Sequence, residues 1–374
     1  MAGSYVWCTR TEDLAREIGR IGSGPIALDS ESDSLHHYPE KICLVQLSSA
    51  GRDLLIDPLA GVDLEPLGPL LAERRIRKVL HGADYDLRVI DRDLGLRVAG
   101  LFDTMVAARL CGERQFGLAA LLDRYLGVQL DKRFQRADWS RRPLPAAMIR
   151  YAVLDTRHLV ELSSRLESRL QALGRITWAE EEFGVLERIR FSEPDDREAY
   201  RAVRGSATLD RRGLAVLREL HVLRERLARA ADRPPFRIAH NELLLRIARE
   251  RPRSRERIAQ LLDRRESAGA SGAAARWSEA VERALSLGEE ELPAPTALDV
   301  GRRVARKSAR LKWLVERRNG VAVELGLDPS LVGPRAVVEA ALERADRGEN
   351  PQDTPGLRRW QWALIGEAIL DAAE

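Results

Sequence analysis

The 374-residue chain is short of several residue types at once: three cysteines, three methionines, six histidines and 5% aromatics. Cys8, Cys43 and Cys111 are odd in number, far apart and without a CxxC spacing, which argues against a disulfide framework and a cysteine-rich zinc site. The chain therefore reads as reduced and intracellular, and a cytoplasmic location is expected. No apolar run nears the roughly 18 residues of a spanning helix. The first 24 residues carry Arg10, Glu12, Asp13, Arg16, Glu17 and Arg20 where a signal peptide keeps its apolar stretch. No membrane partner is expected. Lysine is nearly missing too: Lys41, Lys78, Lys132, Lys307 and Lys312 among 61 basic residues leave 56 arginines. Almost every cation is thus a planar, permanently charged fork suited to phosphate or carboxylate, although genome base composition produces the same bias. With 58 acidic residues and a net charge of +3, overall charge does not advertise a polyanionic partner.

A working phosphate loop is also missing, which argues against an ATPase and a nucleotide cofactor. Gly22-Ser23-Gly24-Pro25-Ile26-Ala27 fits a loose GxGxxA, but it precedes a strand-like run where a dinucleotide loop must follow one. Gly301 to Ser308 has the outer spacing of a phosphate loop, with Arg306 where the second glycine must lie. His36-His37 has no third ligand nearby in sequence and reads as a loop pair.

What is present, at 44% hydrophobic and 32% charged residues, is material for two or three globular domains. Pro25 to Asp29, Ile42 to Ser48, Leu54 to Asp57 and Lys78 to His81 are short, branched-aliphatic runs bounded by turn or charged residues, as strands should be. Asp84 to Leu94, Thr104 to Leu110, Leu118 to Tyr125 and Pro145 to Leu173 space their apolar residues three and four apart, as helices do. These predict an α/β domain, a mixed sheet covered by helices, over residues 1–190. Past Glu193-Pro194-Asp195-Asp196 the strand-like runs stop. A helical domain is expected over 205–290, with a small-residue loop at 266–275, then an acidic, Pro-containing linker near 289–295, then a second helical domain over 300–374. The two helical segments share a faint helix, Pro-turn, helix pattern roughly 90 to 95 residues apart.

Four acids carry the chemistry. Asp29 and Glu31 stand at i and i+2 near a strand end, so both side chains leave one face. Asp86 follows a strand in the first turn of a helix, where an acid is also ordinary dipole stabilisation. Tyr151 and Asp155 stand at i and i+4, one face of a helix. Singly, each motif is a common surface arrangement. Together they supply hard oxygen ligands for two divalent cations about 3.5–4 Å apart, the arrangement that activates water and stabilises a leaving oxygen in phosphodiester hydrolysis. Tyr151 is then placed to orient or deprotonate the attacking water. Asp103, before Thr104-Met105-Val106, reads as a helix N-cap, and His81 as a packing residue. Trp139, with Arg136, Arg141 and Arg142 around it, suits either base stacking with phosphate contacts or a core anchor.

The order Asp-x-Glu, His-Gly-x-x-x-Asp, Tyr-x-x-x-Asp resembles the DEDDy branch of 3′→5′ exonucleases, the ribonuclease D family in particular. Lys41 to Leu47, Leu101 to Thr104 and Asp131 to Leu144 match as well, so the resemblance covers residues 5 to 190. It implies a ribonuclease H-like fold and two Mg2+ or Mn2+ ions. Asp29 would bridge the pair, Glu31 and Asp155 would hold the nucleophile-side ion, and Asp86 the other. Residues 209–290 resemble the HRDC domain that this family shares with RecQ-type helicases, and 300–374 a divergent second copy. The expected partner is a single-stranded RNA 3′ end, with tRNA precursors foremost. DNA is the alternative substrate, because sequence does not show contacts to the 2′-hydroxyl. A nucleic-acid-binding scaffold with an idle site is a third reading. Residues 32 to 38 depart from the family pattern by adding Asp33 and two histidines beside the first motif.

Overall fold

In the computed structural model, which describes residues 4–193, 195, 197–262, 273–294 and 304–374, the first 190 residues build a mixed six-stranded sheet. Its strands are β1 Tyr5–Cys8, β2 Ile26–Ser32, β3 Ile42–Ser49, β4 Arg52–Ile56, β5 Lys78–Leu80 and β6 Leu101–Asp103, in the order β1-β4-β3-β2-β5-β6. β2, β3 and β4 pair antiparallel, while β1 joins β4, and β5 and β6 extend from β2, in parallel. This is the mixed sheet flanked by helices that the strand and helix pattern predicts, in the ribonuclease H-like arrangement that the family resemblance implies.

Alternation along the strands decides what each face meets. Leu28, Val45, Leu47, Leu54 and Ile56 point to one side, into a cluster with Leu67, Leu87, Val89 and Ile90 from helices Leu67–Ala72 and Asp84–Leu94. Leu44 and Leu55 point to the other, against Met148, Tyr151 and Ala152 of the Ala146–Arg157 helix, and Ala27 and Val79 pack there against Leu159, Leu162 and Leu166. Asp29 and Glu31 belong to this second face, since Asp29 follows Ala27 by two residues and Glu31 pairs with Leu44.

Several elements differ from expectation. β1 and the three-residue β6 are additional. β1 shows no alternating apolar pattern because Tyr5 and Val6 at its start are exposed, and β6 is too short to show a period. β2 runs on to Ser32, since pairing with β3 carries the backbone through the acids. The expected single helix over 145–173 is two, Ala146–Arg157 and Leu159–Ala172, meeting at His158.

The chain divides into two compact units. The first holds residues 1–32, 41–191 and 303–374. In it, the C-terminal helices Val304–Leu325, Pro329–Val332, Arg335–Asp346 and Arg359–Ala373 pack on the nuclease helices. Trp360 stacks on Trp178 with centroids 4.8 Å apart and donates from its indole nitrogen to Glu182 at 3.0 Å, and Arg175 donates to the carbonyls of Leu110 (2.8 Å) and Leu325 (2.7 Å). The second unit holds residues 33–40 and 192–302. Its long helix Arg211–Ala231 starts at Asp210, whose carboxylate accepts from the Gly213 amide at 2.8 Å, and buries Leu214, Leu217 and Leu220 against Leu244, Ile247, Trp277 and Val281. The 33–40 segment joins this unit through Tyr38, whose hydroxyl donates to Glu225 (2.5 Å), and His37, 2.7 Å from Asp232. Of the stretch expected as a loop, residues 266–272 lie outside the described residues, and residues 273–275 open the Ala273–Ser286 helix.

Candidate active site

β2 and the Ala146–Arg157 helix bring three of the expected acids together: ligand oxygens of Asp29, Glu31 and Asp155 all lie within 4.8 Å of one another. Asp155 is buried, the other two half-buried. Asp86 stands outside this triplet, on the Asp84–Leu94 helix, and is tied to the same strand by Ser30, whose hydroxyl donates to it at 2.5 Å. Ser30 sits between the two acids of the motif with its side chain on the opposite face, which is how one strand serves acids on two helices. The sequence reading passed it over, although its odd place in the alternation was the available signal.

Four acids this close and this dry resist ionisation. Burial raises Asp29 well above the usual carboxylate range, and the charges of Asp86 and Asp155 push it further. Burial does the same to Glu31, helped by Asp29, Asp155 and Asp86. Asp86 is pushed up to about 6 by burial, against its hydrogen bond from Ser30, and Asp155 to about 8 by burial, with a hydrogen bond from Tyr151 pulling the other way. No arginine or lysine pairs with any of the four among the described residues. One oxygen of Asp155 is buried without a protein partner. Buried, crowded, hard oxygen donors with an unmet acceptor fit a divalent cation.

Tyr151 is buried beside them. Its ring touches Phe134 (5.9 Å between centroids, edge-on) and Trp139 (6.0 Å). Burial, then the charges of Asp155, Glu31 and Asp29, push its phenol far above the ordinary tyrosine value.

Two of the candidate substrate contacts are engaged within the protein. Trp139 is 1% exposed and packs with Leu44, Leu55 and Tyr151, so no base can stack on it; it is the core anchor that backs Tyr151. Arg142 is engaged inside the protein, with Asp57 at 2.7 Å to each carboxylate oxygen and with the carbonyl of Cys43 at 2.6 Å. Arg136 is exposed, and Arg141, also exposed, pairs with Asp138 at 3.0 Å. Asp103 caps its helix, accepting from Met105 (2.8 Å) and Val106 (3.1 Å), and also holds the loop before Asp86 through the amides of Gly82 (3.1 Å) and Ala83 (2.7 Å). His81 bonds Thr104 at 2.9 Å.

A family model described as a 3′-5′ exonuclease matches residues 5–171, and an HRDC-domain model matches residues 213–267. The chain is 34% identical over 372 residues to ribonuclease D of Gluconacetobacter diazotrophicus, covering 98% of this chain and 92% of that one. To ribonuclease D of Pseudomonas paraeruginosa it is 32% identical over 374 residues, covering 98% and 97%. The chain belongs to the ribonuclease D family. In keeping with that, it superposes on the crystal structure of Escherichia coli RNase D, an exoribonuclease involved in structured RNA processing, with a TM-score of 0.77 at 28% identity, covering 99% of this chain and 98% of that one. As a ribonuclease D-family chain it is a 3′→5′ exoribonuclease, a hydrolase of phosphodiester bonds. Among the described residues no helix is long and apolar enough to cross a membrane.

Proposed function

We propose that this family member is a two-metal 3′→5′ exoribonuclease that trims the 3′ ends of tRNA and other stable RNA precursors in the cytoplasm, releasing 5′-mononucleotides. The observation that carries the reading is the meeting of Asp29, Glu31 and Asp155 within 4.8 Å, with no ion pair to a basic side chain among the described residues. Asp29, Glu31 and Asp155 would hold one Mg2+ or Mn2+, and Asp29 with Asp86 the second. Cations held there would supply a lowered pKa for bound water and charge neutralisation at the attacking and leaving oxygens. The Tyr151 hydroxyl, pinned by Phe134 and Trp139, orients the water toward the phosphorus. The bond between phosphorus and the 3′-oxygen of the penultimate nucleotide breaks, that oxygen takes up a proton, and the terminal nucleotide leaves with a 5′-phosphate. Asp103, by holding the 82–83 amides, keeps the start of the Asp86 helix in place. Exposed Arg136 and Arg141 are the phosphate contacts, and the 209–290 and 300–374 helical segments, read as two HRDC-type domains, guide the RNA.

The test is degradation of matched RNA and DNA strands, labelled at the 5′ end, with Mn2+ or Mg2+ present. Stepwise shortening of RNA is expected, reduced about 10²–10³-fold or more by Asp29→Ala or Asp155→Ala. Full activity in either variant contradicts the mechanism, and equal rates on DNA contradict the RNA assignment.

A further inference from the structure

Gln46 is fully buried on β3, and neither its amide nitrogen nor its amide oxygen has a hydrogen-bond partner in the protein. A carboxamide sealed in this way is unfavourable compared with an apolar side chain of the same length, so its position matters. In the antiparallel register Gln46 stands directly opposite Asp29, and residues so paired project from the same face. Its two neighbours on that face show what lies above it. Leu44 packs against Tyr151 and Ala152, and the Ser48 hydroxyl meets that of Thr156 at 2.7 Å. Gln46 therefore lies between them, beneath the turn of the Ala146–Arg157 helix that carries Asp155, whose own buried oxygen is without a partner. Tyr151 does not serve this end of the carboxamide, since its ring faces Phe134 and Trp139.

We infer that Gln46 is a positioning residue of the nuclease site: its amide N–H group, without a partner in the metal-free protein, donates to the Asp29 or Asp155 carboxylate once their other oxygens hold a cation, and so fixes the orientation in which they hold it. A neutral donor suits the place better than arginine or lysine, because a cationic side chain would neutralise the acids that have to attract the metal. The role is that of the groups behind metal ligands generally, which set ligand orientation and typically alter metal affinity or activity about 10- to 100-fold when removed. The inference rests on the two-metal reading above.

Gln46→Met and Gln46→Leu test it, since both keep the volume and remove the donor. Three quantities are measured on the full chain: the melting temperature without metal, the Mn2+ dissociation constant by calorimetry, and kcat and KM on labelled RNA. Both variants are expected to melt no lower than wild type without metal, because two unsatisfied polar atoms have gone. They are expected to bind Mn2+ about 10- to 100-fold more weakly and to lose kcat by a similar factor with KM for RNA unchanged. Mn2+ binding and kcat within twofold of wild type in both variants overturn the proposal. So does a loss of affinity accompanied by a lower melting temperature in both, because packing then accounts for it. Absence of Mn2+ binding by wild type overturns the two-metal reading itself, a separate result.

Discussion

Asp57 and Asp155 are both buried aspartates of the same unit, and their surroundings are opposite. Asp57 is clasped by Arg142 with 2.7 Å to each oxygen, whereas Asp155 meets two other acids, Asp29 and Glu31, a tyrosine and, among the described residues, no cation. The contrast extends beyond this pair. Asp53 takes Arg157 (2.6 Å) and the Ser48 hydroxyl (2.6 Å), Glu113 takes Arg124 (2.7 Å) and the Tyr125 hydroxyl (2.7 Å), and Glu17 takes Arg52 (3.1 Å) and Arg20 (2.5 Å). With 56 arginines available, guanidinium groups reach Asp57, Asp53, Glu113 and Glu17 and, among the described residues, pair with none of the four acids at the site. Burying an acid without a cation is unfavourable. Asp86 and Asp155 are buried without a cationic partner among the described residues, and Asp29 and Glu31 are half-buried, an arrangement that suits a bound divalent cation.

Breaking the paired side of the comparison gives the largest expected effect. Arg142→Ala leaves Asp57 buried and uncompensated and is expected to destabilise the protein by about 3–5 kcal/mol, read by denaturant unfolding, with metal affinity retained in the folded fraction. The unpaired side responds in the opposite direction. Asp155→Asn removes a buried charge from a crowd of like charges, so at pH 8 the metal-free variant is expected to be more stable than wild type by on the order of 1–3 kcal/mol, a rise of a few degrees in Tm, while losing activity. A loss of stability in that variant would show that Asp155 is a structural acid after all.

The pH dependence of that gap sharpens the point. The folded values of Asp86 and Asp155 are raised, to about 6 and about 8, over ordinary aspartate. The folded state therefore binds more protons than the unfolded one above pH 4, and this contribution to stability declines as pH rises through those values. Half-buried His81 and His158, both shifted down by desolvation, contribute in the opposite sense but equally to wild type and variant. The difference in Tm between Asp155→Asn and wild type, without metal, is thus expected to widen from pH 5 to pH 8. A constant difference contradicts the charge crowding. The smallest effect is expected for Tyr151→Phe, which keeps the ring contacts and the carboxylates: turnover slower by about 10- to 100-fold, with the Mn2+ dissociation constant unchanged.

Much of this contrast was legible in the sequence, and for stated reasons. Asp29 and Glu31 share a face because strand alternation has a period of two, and Tyr151 and Asp155 because a helix repeats near four. The sheet and its flanking helices followed from such local rules, and the exonuclease resemblance from the order of the acid motifs along the chain. Trp139 and Arg142 were not legible. Whether an aromatic ring beside arginines meets solvent or core depends on what packs above it, and here Leu44, Leu55 and Tyr151 do. The same holds for Ser30 and Gln46, whose importance comes from which residue lies across a strand or under a helix. The placement of residues 33–40 with the 192–302 helices and of 303–374 with the nuclease core is tertiary in origin too. No local pattern marks Trp178 and Trp360 as partners.

The most direct test of the central claim is calorimetric titration of Mn2+ into the metal-free protein near pH 7, repeated in buffers of different ionisation enthalpy so that released protons are counted. If the unpaired acids form a cation site, Mn2+ binds and displaces protons from carboxyls held above their ordinary range, and Asp155→Asn lowers both the affinity and the proton count. No binding by wild type, or binding that is the same in Asp155→Asn, contradicts it.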